Sequence, residues 1–149
     1  MQRRPPYFDP ISGLRYDTSA GNKEGWLMKQ SEWLKDWRRR YFILKDNKLF
    51  FSKSQWCAPH GMIDLSQCQT VKSAEHKAGK KYAIEISTRE ITYFLHGMND
   101  KEKDEWIGVL GRAIVHSSRS LLKDEDMTNE NDYDSDDNDH DENSPYYYR

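Results

Sequence analysis

The sequence predicts a mainly β fold closed by a single C-terminal α-helix, on two observations. Seven short runs rich in apolar residues follow one another between residues 25 and 96, each bounded by polar or turn-forming residues. The apolar period then lengthens from two to about 3.6, the mark of an amphipathic helix.

In chain order, residues 1–22 contain Pro5, Pro6, Pro10, Gly13 and Gly21 and hold no sustained period. They read as an extended N-terminal arm, pinned to the domain by Tyr7, Phe8 or Leu14. Strands are expected at 25–29, 37–44, 48–52, 61–64, 70–73, 82–87 and 91–96. Asp46-Asn47 suits a tight hairpin between the second and third, because both residue types tolerate left-handed backbone angles. Alternation is plainest in Tyr82, Ile84 and Ile86 and in Ile91, Tyr93 and Leu95. The helix is expected from about residue 100 to about 120, opened by a capping box in which Asn99 or Asp100 is the cap and Glu102 its partner. Trp106, Val109, Leu110, Ala113 and Ile114 form one apolar stripe. Acidic residues gather in the first turns, with Arg112, His116 and Arg119 later, in line with the helix dipole.

Length and composition narrow the function. The 149 residues suit one domain: an arm at 1–22, a folded body at 23–121 and an acidic tail at 122–149 expected to be disordered. No apolar run approaches the roughly 20 residues of a membrane-spanning helix. The N-terminus shows neither a signal peptide nor a myristoylation glycine, so a cytoplasmic protein with peripheral membrane contact is expected. Cys57 and Cys68 read as reduced thiols, too few for structural zinc, and the five histidines show no paired ligand spacing. No cofactor or metal is expected. Residues 123–149 carry 11 acidic and 2 basic side chains, a net of −9, whereas residues 1–122 carry 21 basic and 14 acidic, a net of +7. The basic body points to an anionic partner.

The segment from Lys29 to Phe42 indicates what that partner is. Side chains alternate along a strand, so Leu27 and Lys29 share a face, as do Arg38, Arg40, Phe42 and Leu44. If Leu27, Phe42 and Leu44 line a core, Lys29, Arg38 and Arg40 extend the same face to its rim. A phosphorylated headgroup fits such a ring of cations. The competing reading is a merely solvated basic face. Trp33 and Leu34, at the tip of the joining loop, either enter a bilayer interface or pack on the loop's own stem.

Three segments resemble the pleckstrin homology (PH) domain family: Lys23-Glu24-Gly25-Trp26-Leu27-Met28-Lys29, then residues 35–44 beginning Lys35-Asp36-Trp37-Arg38, then Trp106 within Asp104-Glu105-Trp106-Ile107. The resemblance covers residues 23 to about 120 and implies a strongly bent, seven-stranded antiparallel barrel capped by the helix, with Trp106 structural. It implies a phosphoinositide pocket at the open end, held by Lys29, Arg38 and Arg40, with a further contact from Lys35. Family members selective for the trisphosphate often carry a tyrosine on the third strand and a basic residue near the fourth. Phe51 and His60 stand at the matching positions here, and Glu32 and Asp36 add negative charge, so bisphosphorylated and other anionic lipids stay open.

Two functions follow. One is a phosphoinositide- or anionic-lipid-binding module that brings itself or a partner to membranes. The other is a protein-interaction adaptor that uses the same fold for a peptide or small GTPase. Enzymatic and nucleic-acid-binding signatures are missing: there is no nucleophile elbow, Walker-type loop or base-reading motif. The acidic tail, with candidate phosphorylation sites Ser135 and Ser144, either competes for the basic mouth or serves as a solubilising appendage.

Overall fold

A computed structural model describes residues 3–125, with side chains described through Ser118. The expectations for the tail beyond Glu125, including Ser135 and Ser144, lie outside the described residues. Seven antiparallel strands form the body: β3 (Lys23–Gln30), β4 (Trp37–Lys45), β5 (Lys48–Ser52), β6 (Gly61–Asp64), β7 (Cys68–Ser73), β8 (Ala83–Thr88) and β9 (Thr92–His96). Their order across the sheet is β6-β5-β4-β3-β9-β8-β7, so β6 and β7 are its two edges. Ile63 from one edge and Val71 from the other enter the same buried cluster as Leu27, Phe42, Ile84 and Leu95. Both edges can feed one interior only if the sheet curls round it. Most of its backbone groups are thereby removed from exposed edges.

The helix α2 (Asp100–Glu125) closes this interior. Asn99 is the cap: its Oδ1 accepts the Glu102 amide at 2.8 Å, and Glu102 Oε1 accepts the Met98 amide at 2.7 Å. Trp106, Leu110 and Ile114 are buried as the stripe requires, Ile107 joins them, and Val109 and Ala113 pack partly buried alongside. Trp106 is structural. Its ring lies under the Lys23 ammonium at 5.2 Å, and Lys23 also pairs with Glu105 at 3.5 Å.

The strand alternation held with local exceptions. Tyr82, expected in a strand, has φ 64° and precedes β8; its amide donates to Glu75 Oε2 at 2.6 Å. Ile91 belongs to the β8–β9 turn, where its carbonyl accepts the Thr88 amide at 2.8 Å. A one-turn helix, α1 (Glu75–Ala78), ends at Gly79 in the left-handed conformation. Asp46 takes φ 57° in the β4–β5 hairpin. Cys57 is exposed and Cys68 buried, both free, and burial with the nearby Asp64 pushes the Cys68 thiol up to about 12.

The N-terminal residues hold more structure than an extended arm. Strands β1 (Tyr7–Phe8) and β2 (Arg15–Tyr16) form a small hairpin against the outer face of the barrel. Tyr7 is buried in a second cluster with Tyr41, Ile43 and Phe50, whereas Phe8 and Leu14 stay exposed. Arg4 fixes the chain behind this hairpin. It is buried, pairs with Glu24 at 2.9 Å, and donates to the Thr18 and Gln55 carbonyls. Glu24 Oε1 in turn accepts the Tyr41 hydroxyl at 2.9 Å.

Candidate functional site

The β3–β4 ladder brings the cations together. Lys29 pairs in register with Arg38 and Leu27 with Arg40, one step before Phe42 enters the core opposite Gly25. The inward face therefore changes from apolar to basic within two rungs. Trp37 fixes the first residue of β4 by setting its ring edge-on to His96 at 4.8 Å. The six-residue loop between the strands is tied at its base by the Ser31 amide to the Asp36 carbonyl at 2.7 Å and the Asp36 amide to Ser31 Oγ at 3.1 Å.

A cleft of about 470 Å³ opens at this end, and Lys29, Arg38 and Arg40 line it together with the Glu32 carboxylate. Its far wall is Phe51 from β5 and His60 from the end of the β5–β6 loop, the two rings meeting edge-on at 5.2 Å. Lys29 Nζ stands 5.0 Å from the Phe51 ring centre and 5.7 Å from that of Tyr93 on β9. Burial pulls the Lys29 ammonium below its ordinary value; Glu32 opposes this, and Arg40 and Arg38 add to it. Burial likewise lowers His60, helped by Arg40, Lys53 and Lys29. An anion entering the cleft would relieve both effects, because it supplies the opposite charge these groups lack.

Of the residues singled out from sequence, Lys29, Arg38 and Arg40 share this cleft, and Lys35 does not line it. Lys35 is exposed at the loop's left-handed position, with φ 61°. Arg38 is partly neutralised by Asp36 at 3.4 Å. Trp33 and Leu34 are 91% and 68% exposed, so they do not pack on the loop's stem, and both rim the cleft. Arg39, on the opposite face, stacks on Trp26 at 3.9 Å. The strand alternation placed Tyr93 on one face with Leu95, but the parts that Tyr93 and Gly61 play at this cleft escaped the sequence reading. The role of Gly61 depends on the Phe51 ring opposite it.

A larger hollow of about 980 Å³ lies at the other end, between the β4–β5 turn and α2. Its lining holds one carboxylate, Asp46, and one guanidinium, Arg112, without the concentration of cations found at the β3–β4 end. Among the described residues no group of three His, Cys, Asp or Glu side chains is arranged to hold a metal, and no helix is long and apolar enough to cross a membrane.

Comparison with known proteins agrees with this architecture. The family model described as "PH domain" matches residues 21–115. Pleckstrin homology domain-containing protein 1 of Arabidopsis thaliana is 43% identical over 135 residues, covering 87% of this chain and 90% of that protein. The crystal structure of the C-terminal PH domain of pleckstrin in complex with D-myo-Ins(1,2,3,4,5)P5 superposes with a TM-score of 0.53 at 33% identity, over 62% of this chain and 96% of that one. The human PH domain of pleckstrin homology domain-containing protein family A member 5 gives a TM-score of 0.59 at 26% identity, over 72% and 88%.

Proposed function

This chain belongs to the PH domain family, and from that premise we propose that it is a non-catalytic, peripheral membrane module. Its β3–β4 cleft binds phosphoinositides or other anionic lipids and so brings the protein, or a partner, to a cytoplasmic membrane face. The observation that carries this reading is the convergence of Lys29, Arg38 and Arg40 on one cleft behind an exposed Trp33. A relative of the same fold, the C-terminal PH domain of pleckstrin, forms a complex with an inositol pentakisphosphate.

The magnitudes favour a combined mode of binding. Each cation near an anionic surface contributes about 1 kcal/mol. Three therefore give about 3 kcal/mol, roughly a hundredfold enrichment and too little for stable recruitment alone. Direct coordination by the planar guanidinium forks supplies geometric selectivity, and Trp33 with Leu34 adds an apolar anchor at the bilayer interface. The cleft volume of about 470 Å³ lies within the ordinary range for small-ligand sites. Phe51 offers no hydroxyl and His60 is not a fixed cation, so strict trisphosphate preference is not part of the proposal.

The adaptor reading draws on the β1–β2 hairpin, which exposes Phe8, Ile11 and Leu14 at 59%, 94% and 57%. Vesicle flotation separates the two. Phosphoinositide-dependent flotation that is lost in Arg40→Ala supports the lipid module; no flotation on any of the vesicles supports the adaptor.

A further inference from the structure

The cleft walls carry three cations, Lys29, Arg38 and Arg40, against one carboxylate, Glu32. Among the described residues no carboxylate comes within 4.0 Å of the Lys29 or Arg40 nitrogens, and Asp36 reaches only Arg38. Meanwhile the 24 residues after Glu125 carry nine carboxylates and one cation. We propose that residues 136–142 of this chain, Asp-Asp-Asn-Asp-His-Asp-Glu, occupy the Lys29–Arg38–Arg40 cleft and compete with lipid phosphate for it. The inference rests on the reading of that cleft as an anion site.

Chain geometry selects this segment over the rest of the tail. Arg40 and Arg38 stand six and eight residues before Asp46 of the β4–β5 turn, which puts the cleft about 20–27 Å from that turn. Arg112, His116 and Ser117 of α2 lie beside that turn, and the helix continues eight residues further to Glu125, about 12 Å more. The tail must therefore cover roughly 30–40 Å to reach the cleft. A fully extended chain advances at most about 3.3–3.6 Å per residue, so Glu130 falls well short. Asp136 and Asp137 arrive at the limit of their reach, and Asp139, Asp141 and Glu142 arrive with slack. Five of the seven residues at 136–142 are acidic, and a single segment can meet all three cations.

The expected strength follows from tethering. A linked competitor sits at an effective concentration of about 1 mM. With an intrinsic affinity of about 0.1–0.5 mM, ordinary for charge pairing at an exposed site, it lowers the apparent lipid affinity roughly three- to tenfold. The contact is electrostatic, so salt weakens it.

The test uses full-length protein and vesicles of phosphatidylcholine doped with a phosphatidylinositol bisphosphate. One variant carries Asp136→Asn, Asp137→Asn, Asp139→Asn and Asp141→Asn; a second, with the same change in net charge, carries Asp126→Asn, Glu130→Gln, Asp132→Asn and Asp134→Asn. The first should bind roughly three- to tenfold tighter than wild type at low salt, with the gap closing at about 0.3 M salt, and the second should match wild type. Equal gains from both would assign the effect to general repulsion from the vesicle and overturn the proposal, as would no gain from the first. A lipid-free measurement keeps the two readings apart. Carbodiimide should join Lys29 to a carboxylate of residues 136–142, and inositol hexakisphosphate should suppress the link. Vesicle binding without that link overturns the tail contact alone. The link without any vesicle binding overturns the lipid reading and the competition with it.

Discussion

Gly61 faces Phe51 across the β5–β6 ladder, and the Phe51 ring fills the space a side chain at position 61 would need: a Cβ there would stand 2.2 Å from the ring. That ring is also the apolar wall beside the Lys29 ammonium. A glycine on β6 therefore makes room for the ring that walls a cation on β3. Gly61→Ala should force the ring to shift, costing about 1–3 kcal/mol as overpacking and weakening headgroup binding beyond the loss of folded protein. Urea denaturation alongside vesicle binding at a temperature where the variant stays folded checks both effects. Unchanged values in both would mean that Phe51 has room to move that the contacts do not reveal.

Arg4 lies outside the strands of the barrel yet holds its outer face. Replacing it with alanine removes the cation from Glu24, which keeps only the Tyr41 hydroxyl, and the donor from the Thr18 carbonyl. Breaking a pair buried to this degree costs about 2–4 kcal/mol, less than a fully enclosed one because Glu24 is partly exposed. Equilibrium denaturation of Arg4→Ala should show the loss, while binding of a soluble inositol phosphate, measured on folded protein, stays as in wild type.

The strands, their order along the chain and the helix stripe were legible because burial on one face imposes a period on the residues. Leu27, Phe42 and Leu44 announced the core, and the same alternation carried Lys29, Arg38 and Arg40 to the rim. The β1–β2 hairpin was not legible. Two-residue strands have no period, and Arg4 is buried because Thr18, Glu24 and Gln55, all distant in sequence, receive it. The one-turn helix at Glu75–Ala78 is equally too short to pattern. The exposed loop tip was undecidable from composition, since Trp33 suits either a stem or a membrane.

His60 gives the site a pH dependence. Its folded value is depressed, so the unfolded chain takes up the proton first and apo stability declines as pH falls below about 6.5. Binding works in the other direction. A polyanion counters Arg40, Lys53 and Lys29, raises the His60 value, and makes binding take up a proton. Affinity should therefore strengthen between about pH 7.5 and pH 6, more in wild type than in His60→Asn. Because the headgroup titrates identically in both, equal slopes would assign the whole effect to the lipid phosphates.

Trp33 and Leu34 should matter for membranes and not for soluble ligand. Trp33→Ala is expected to weaken vesicle binding several-fold while leaving inositol phosphate affinity unchanged, and Trp33 fluorescence should shift to the blue on vesicles. A parallel loss for both ligands would place the indole inside the headgroup contact instead.

The central claim is that three side chains from two neighbouring strands hold one phosphorylated ligand. Calorimetric titration of a soluble inositol polyphosphate into wild type, Lys29→Ala, Arg38→Ala and Arg40→Ala tests it most directly. Hydrogen bonds to charged groups contribute about 1.5–3 kcal/mol each. Each substitution should therefore lower affinity by roughly ten- to a hundredfold, with unfolding temperature little changed. Wild-type affinity retained in Lys29→Ala and Arg40→Ala together would contradict the account.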